Sequence, residues 1–127
     1  MNFPANLKYT KSHEWVKSLE GGIYEIGLTD YAQNELGDIV FVNLPQAGDS
    51  ITADASFADV ESVKAVSDIF SPLTGTVKEI NEAILDAPEA INKAPYDTWL
   101  IRAEGDIPAG VLLSADEYQA LLSKKEQ

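Results

Sequence analysis

The chain has 127 residues, a formal net charge of −12 from 21 acidic and 9 basic residues, no cysteine and a single histidine. Such a surface repels the phosphates of nucleic acids and anionic lipids and favours basic protein partners, so neither nucleic acid nor membrane is an expected partner. Lack of cysteine removes disulfides, thiolate nucleophiles and sulfur-ligated metals, and His13 alone cannot build a multi-histidine metal site.

Residues 1–127 read as a single domain, long enough for one modest core. No apolar run approaches the roughly 18 residues of a membrane span. Met1-Asn2-Phe3-Pro4-Ala5 carries neither a basic segment nor a long apolar one, so no targeting segment is read and a cytoplasmic location is expected.

Along the chain the pattern is mainly β with short helices. Glu14-Trp15-Val16-Lys17 and Ile23 to Leu28 flank Gly21-Gly22 and predict a hairpin. Thr29 suits the N-cap of a short helix over Tyr31 to Leu36; Asp30 complements its positive end and Gly37 terminates it. Asp38 to Leu44 predicts a strand stopped by Pro45, and Asp49 to Thr52 the start of another. Pro72-Leu73-Thr74-Gly75 predicts a turn and Thr76 to Ile80 a strand. Residues 81–97, with Pro88 and Pro95, read as loop with at most a turn of helix. Thr98 to Arg102 predicts a strand. Ser114 and Glu117 form a capping box before a C-terminal helix over Tyr118 to Leu122, with Leu113 and Tyr118 as its staple and Lys124-Lys125 complementing its negative end. Asp38-Ile39-Val40 before Pro45 and Gly48 is weakly echoed by Asp68-Ile69-Phe70 before Pro72 and Gly75.

Between Val60 and Ile69 the sequence is nearly a palindrome centred on Lys64-Ala65. Folded antiparallel about that centre, Val63 opposes Val66, Ser62 opposes Ser67, Glu61 opposes Asp68 and Val60 opposes Ile69. Two features of that pairing are unfavourable. Lys-Ala lacks the positive-φ residues of a two-residue hairpin, so the turn is either not of the primed type or mildly strained, and Glu61 opposite Asp68 sets like charges together. Broken local rules beside one exposed lysine point to a position kept for function.

Glu61-Ser62-Val63-Lys64-Ala65, with Ser67-Asp68, resembles the lipoyl-attachment motif of the glycine cleavage system H protein family. The resemblance covers nearly the whole chain: Leu7-Lys8-Tyr9, Ser12-His13-Glu14-Trp15-Val16, Ile26 to Gln33, Leu36 to Val42, Ser71 to Gly75, Ile91-Asn92, and Pro95-Tyr96 before Trp99 follow in the family's order. It implies a barrel-sandwich hybrid of the lipoyl- and biotinyl-carrier type, with two small sheets, short helices, a C-terminal helix and the modified lysine on an exposed hairpin. It further implies a non-catalytic monomeric carrier with lipoate joined to Lys64 by an amide. Glu61, Ser62, Val63, Ala65 and Asp68 would be read by the lipoate ligase or octanoyltransferase. The arm would take an aminomethyl group from a pyridoxal-phosphate glycine decarboxylase, pass its carbon to tetrahydrofolate on an aminomethyltransferase, and be reoxidised by dihydrolipoamide dehydrogenase. Ser12, Glu14 and Asp68 would face the amine of the loaded arm in a cleft of the carrier. His13 and Trp15 read as packing residues.

The chemistry suits a carrier. A lysine amine is cationic at neutral pH; an amide removes that charge and leaves a long flexible stem, and the sulfur chemistry this cysteine-free chain lacks arrives on the cofactor. Departures from the family pattern sit at Ala53-Asp54-Ala55-Ser56, Ala58-Asp59, Pro95 to Trp99 and Gly105 to Gly110. They leave open a divergent paralogue that relays lipoate to other enzymes. A biotin carrier is disfavoured because Val63 and Ala65, rather than methionines, flank Lys64. An enzyme is disfavoured because Glu61 and Asp68 are the nearest thing to an acid–base pair, and exposed hairpin carboxylates are ordinarily solvated.

Overall fold

A computed structural model describes residues 2–125, without the side chain of Lys125; the readings of Met1 and of Lys125 lie outside the described residues. Among the described residues, nine strands form two antiparallel sheets. The elements are β1 (Lys8–Tyr9), β2 (Glu14–Ser18), β3 (Ile23–Leu28), α1 (Asp30–Leu36), β4 (Ile39–Asn43), β5 (Ser50–Ile51), β6 (Ser56–Ser62), β7 (Val66–Phe70), β8 (Thr74–Ile80), α2 (Ala83–Asp86), α3 (Ala90–Lys93), β9 (Trp99–Asp106) and α4 (Ala115–Lys125). One sheet runs β1-β2-β3-β9-β8-β5 and the other β4-β6-β7. This is the barrel-sandwich hybrid that the resemblance implies. Among the described residues, no helix is long and apolar enough to cross a membrane.

The core lies between the sheets because alternate strand residues turn inward. Ile26, Val42, Val60, Ile69, Val77 and Ile101 are all buried there, and the two single-turn helices of the 81–97 segment add Ile84 and Ile91. A second cluster joins Leu7, Tyr9 and Trp15 to Ala115, Tyr118 and Leu122. Tyr9 and Tyr118 stack with ring centroids 4.9 Å apart. Thus α4 is clamped onto β1 and β2, and its first turn carries the expected reciprocal cap: Ser114 N–H donates to Glu117 Oε1 at 2.9 Å and Glu117 N–H to Ser114 Oγ at 3.1 Å.

Local signals hold elsewhere too. Thr29 caps α1 by accepting from Ala32 N–H at 3.2 Å, and Gly37 ends it at φ 79°. The weak echo maps onto two equivalent excursions: β4 and β7 flank β6 in the small sheet, and β5 pairs with β8 in the large one.

One expected turn is wrong. Thr74 and Gly75 are the first residues of β8, not the end of a turn. Gly75 pairs with Gly105 on β9, and a Cβ on either would strike the backbone of the other strand. The glycine serves close backbone approach rather than a bend.

Candidate functional site

Lys64 stands at the tip of the β6–β7 hairpin, exposed as predicted, but the hairpin does not fold about Lys64-Ala65. Glu61 pairs with Val66, Val60 with Ser67, Asp59 with Asp68 and Ala58 with Ile69. Every partner differs by two positions from the mirror pairing. The reason is Ser62. Its N–H donates to Ala65 O at 2.8 Å, and its Oγ accepts from Ala65 N–H at 3.1 Å and Lys64 N–H at 3.3 Å. The side chain thereby does the work of a backbone acceptor, and the loop is Val63-Lys64. Neither residue has positive φ, so the turn is not of the primed type, the first of the two expected alternatives. A two-residue slip preserves which face each side chain takes, so Val60 and Ile69 are still buried.

The slip also moves the like-charge pair. Glu61 lies between Phe41 and Val66 across the small sheet, while Asp68 opposes Asp59. Asn43 Nδ2 donates to Asp59 Oδ1 at 2.7 Å, a partial offset. Val63 and Val66, 70% and 67% exposed, bracket the lysine with apolar surface. The stem of Lys64 lies over Gly37, at the end of α1. Ala32, Glu35 and Leu36, which share one face of α1, wall a cavity of about 140 Å³ beside it.

That cavity brings together the three residues that the sequence suggested for an amine cleft: Ser12, Glu14 and Asp68 all line it. β7 is the outer strand of its sheet, and Ser67, Asp68 and Ile69 border the cavity from it. Glu14 is 1% exposed. Its Oε1 accepts from Ser12 Oγ at 2.6 Å and Thr10 Oγ1 at 2.7 Å, and the nearby backbone N–H of Phe70 favours its charged form. Burial pushes the Glu14 carboxyl above its ordinary range, while the Ser12, Thr10 and Phe70 donors pull it back. A second cavity of about 190 Å³ shares Ser12 and Glu14 and is bordered by Thr10, Lys11, Asp54 and Ser71.

The loop that carries Ser12 and Glu14 is a tight hairpin connection. His13 N–H donates to Thr10 O, and Thr10 N–H to Glu14 O. His13 sits at φ 75°, the left-handed position usually given to glycine in a three-residue hairpin loop. Its Nδ1 lies 2.8 Å from Tyr118 Oη, which lies 2.8 Å from Thr29 Oγ1.

Sequence reading missed four participants: Thr10, Glu35, the Phe70 N–H and Tyr118. Thr10 had a signal, since it is a hydroxyl residue in the same short turn as Ser12 and Glu14. Glu35 had one in its helical spacing from Ala32. Phe70 and Tyr118 are remote in sequence and had none.

The family model described as Glycine cleavage H-protein matches residues 7–125. The glycine cleavage system H protein of Lachnoclostridium phytofermentans is 52% identical over 120 residues, 94% of either chain. That of Geobacillus kaustophilus is 50% identical over 127 residues, covering 98% of this chain and 99% of its own. The crystal structure of a glycine cleavage system H protein from Mycobacterium marinum superposes with a TM-score of 0.88 at 37% identity, over 94% of this chain and 98% of that one.

Proposed function

The chain belongs to the glycine cleavage H-protein family, a lipoyl carrier subunit and not a catalyst, and from that premise we propose that Lys64 bears its lipoate and that the Ser12–Glu14 cavity shelters the aminomethyl cargo. One observation carries the reading. The only residue that the hairpin loop offers with an acylable amine stands over Gly37, beside a cavity walled by a buried carboxylate.

The residues suit the group. Ser62 holds the loop so that the Lys64 amine projects into solvent, where a ligase or octanoyltransferase can reach it. Glu61, Val63, Ala65 and Asp68 supply the flanking surface such an enzyme would read. When bound, lipoate supplies a disulfide that accepts a carbon group and two electrons, chemistry absent from this chain. Tethering raises the effective concentration of the carried group at a docked enzyme. The partners in turn are the glycine decarboxylase, the aminomethyltransferase and dihydrolipoamide dehydrogenase.

Between partners, Glu14 receives the cargo's ammonium. An ammonium beside Glu14 offsets the desolvation that raises its carboxyl, and Ser12 and Asp68 add polar contacts at the same cavity. No base or nucleophile is required of the carrier.

Intact mass and peptide mapping of protein from its native host test this. A lipoyl addition confined to the Lys64 peptide is expected, and Lys64→Arg should abolish it with the fold intact. A lipoyl group on Lys78 or Lys93 would overturn the assignment.

A further inference from the structure

We propose that Tyr118 and His13 are positioning residues for the Ser12–Glu14 cavity, so that the C-terminal helix sets how well the carrier retains its aminomethyl cargo. The inference rests on the cavity reading above and extends it to a helix more than 100 residues away in sequence that lines neither cavity.

Three observations carry it. The 10–14 loop closes on itself through Thr10, with His13 N–H to Thr10 O at 3.1 Å, Thr10 N–H to Glu14 O at 3.0 Å and Glu14 N–H to Thr10 Oγ1 at 3.1 Å. Within that closure the direction of the Ser12 and Glu14 side chains follows from the backbone at His13. That backbone is left-handed at φ 75°, a conformation that disfavours a residue with a Cβ and persists where surrounding contacts hold it.

The holding contact is Tyr118, which is fully buried. The groups form a chain: Ala32 N–H donates to Thr29 Oγ1, which lies 2.8 Å from Tyr118 Oη, which in turn lies 2.8 Å from His13 Nδ1. His13 also packs against Tyr31 of α1, with ring centroids 4.7 Å apart. The strained residue is thus gripped by α4 on one side and by α1, the cavity wall, on the other. Buried hydrogen bonds of this kind specify one geometry because the alternatives leave a polar atom unpaired.

A packing role for His13 would make it replaceable by anything that keeps the fold. A positioning role makes the cargo's lifetime depend on the tie. His13 itself borders the smaller cavity, so separating the two takes His13→Gly alongside Tyr118→Phe, whose ring lines neither cavity. Glycine relieves the left-handed backbone while cutting the tether to Tyr118, so stability should hold or rise as retention falls. Tyr118→Phe cuts the same tether and keeps the stacked ring.

The measurement is non-enzymatic decay of the aminomethyl-loaded, lipoylated full-length carrier. His13→Gly and Tyr118→Phe should each speed decay by about two- to tenfold, the worth of one buried hydrogen bond, with lipoylation of Lys64 unchanged. Val77→Ala, a core truncation on β8 that borders neither cavity, should lower stability and leave decay at the wild-type rate. In a Glu14→Gln background, Tyr118→Phe should add almost nothing, because the group it positions is gone. Wild-type decay in both His13→Gly and Tyr118→Phe, with faster decay in Glu14→Gln, would overturn the positioning role alone. Wild-type decay in Glu14→Gln would overturn the cavity reading, and the positioning role with it. Decay that tracks lost stability across all variants, Val77→Ala included, would reduce the tie to ordinary packing.

Discussion

Gly37 and Lys64 meet at the end of α1: a Cβ built on Gly37 would lie 3.5 Å from Cε of Lys64. Gly37 has φ 79° and ψ −160°, a region that glycine occupies almost alone. Gly37→Ala should therefore cost about 1–3 kcal/mol of stability through its backbone, its Cβ meeting the stem of Lys64 only in ordinary van der Waals contact. Chemical denaturation should show the loss. An alanine variant as stable as wild type would mean that the α1–β4 junction relaxes freely.

Glu61 and Asp68 should matter to acylation of Lys64 more than to folding. Asp68 faces Asp59 across the small sheet, so removing its charge relieves a repulsion worth roughly 0.2–1 kcal/mol. Glu61→Gln/Asp68→Asn should fold with equal or slightly greater stability and be lipoylated more slowly. Unchanged lipoylation kinetics would make the acidic flank incidental.

For Glu14, replacement by Gln should weaken retention of the cargo without touching Lys64. A charge-assisted hydrogen bond is worth about 1.5–3 kcal/mol, so decay of the loaded form should accelerate roughly tenfold or more, while the oxidised, unloaded arm is unaffected.

The same carboxyl sets a pH signature. Burial raises the folded-state pKa of Glu14 above its unfolded value of 4.5, so the folded state holds its proton more tightly. The resulting stabilisation is complete below the unfolded pKa and fades as pH rises through the folded one. Apo Glu14→Gln should flatten that limb of the stability–pH curve. Identical curves for the two proteins would show that the Ser12, Thr10 and Phe70 donors cancel the desolvation.

Asp54, in the segment Ala53 to Ser56, holds φ 69°, the left-handed region that glycine takes without strain. Aspartate tolerates this conformation better than most residues but less well than glycine. Asp54→Gly should raise stability by about 1 kcal/mol or less, read as a shifted denaturation midpoint. A destabilised variant would assign Asp54 a contact that outweighs its strain.

What the sequence determined by itself is whatever depends on neighbours within a few residues or on the alternation of faces. The Thr29 cap, the Ser114–Glu117 box, the Gly37 stop and the hairpin over Gly21-Gly22 are all local hydrogen-bond or dihedral chemistry, and each is realised. Family order along the chain pointed to Lys64, Ser12, Glu14 and Asp68, and alternation chose the buried face of β6 and β7. Only the tertiary structure decided the rest. The palindrome around Lys64 could not set the hairpin register, because the alternation of faces is preserved equally by pairings two residues apart and the Ser62 hydroxyl selects between them. Gly75 looked like a turn because its partner, Gly105, is 30 positions away. The convergence of Glu14, the Phe70 N–H, Glu35 and the Tyr118–His13 tie likewise joins residues distant in sequence. A buried carboxylate is tolerable only where several elements close around it with donors, and that closure exists only once both sheets, α1 and α4 have packed.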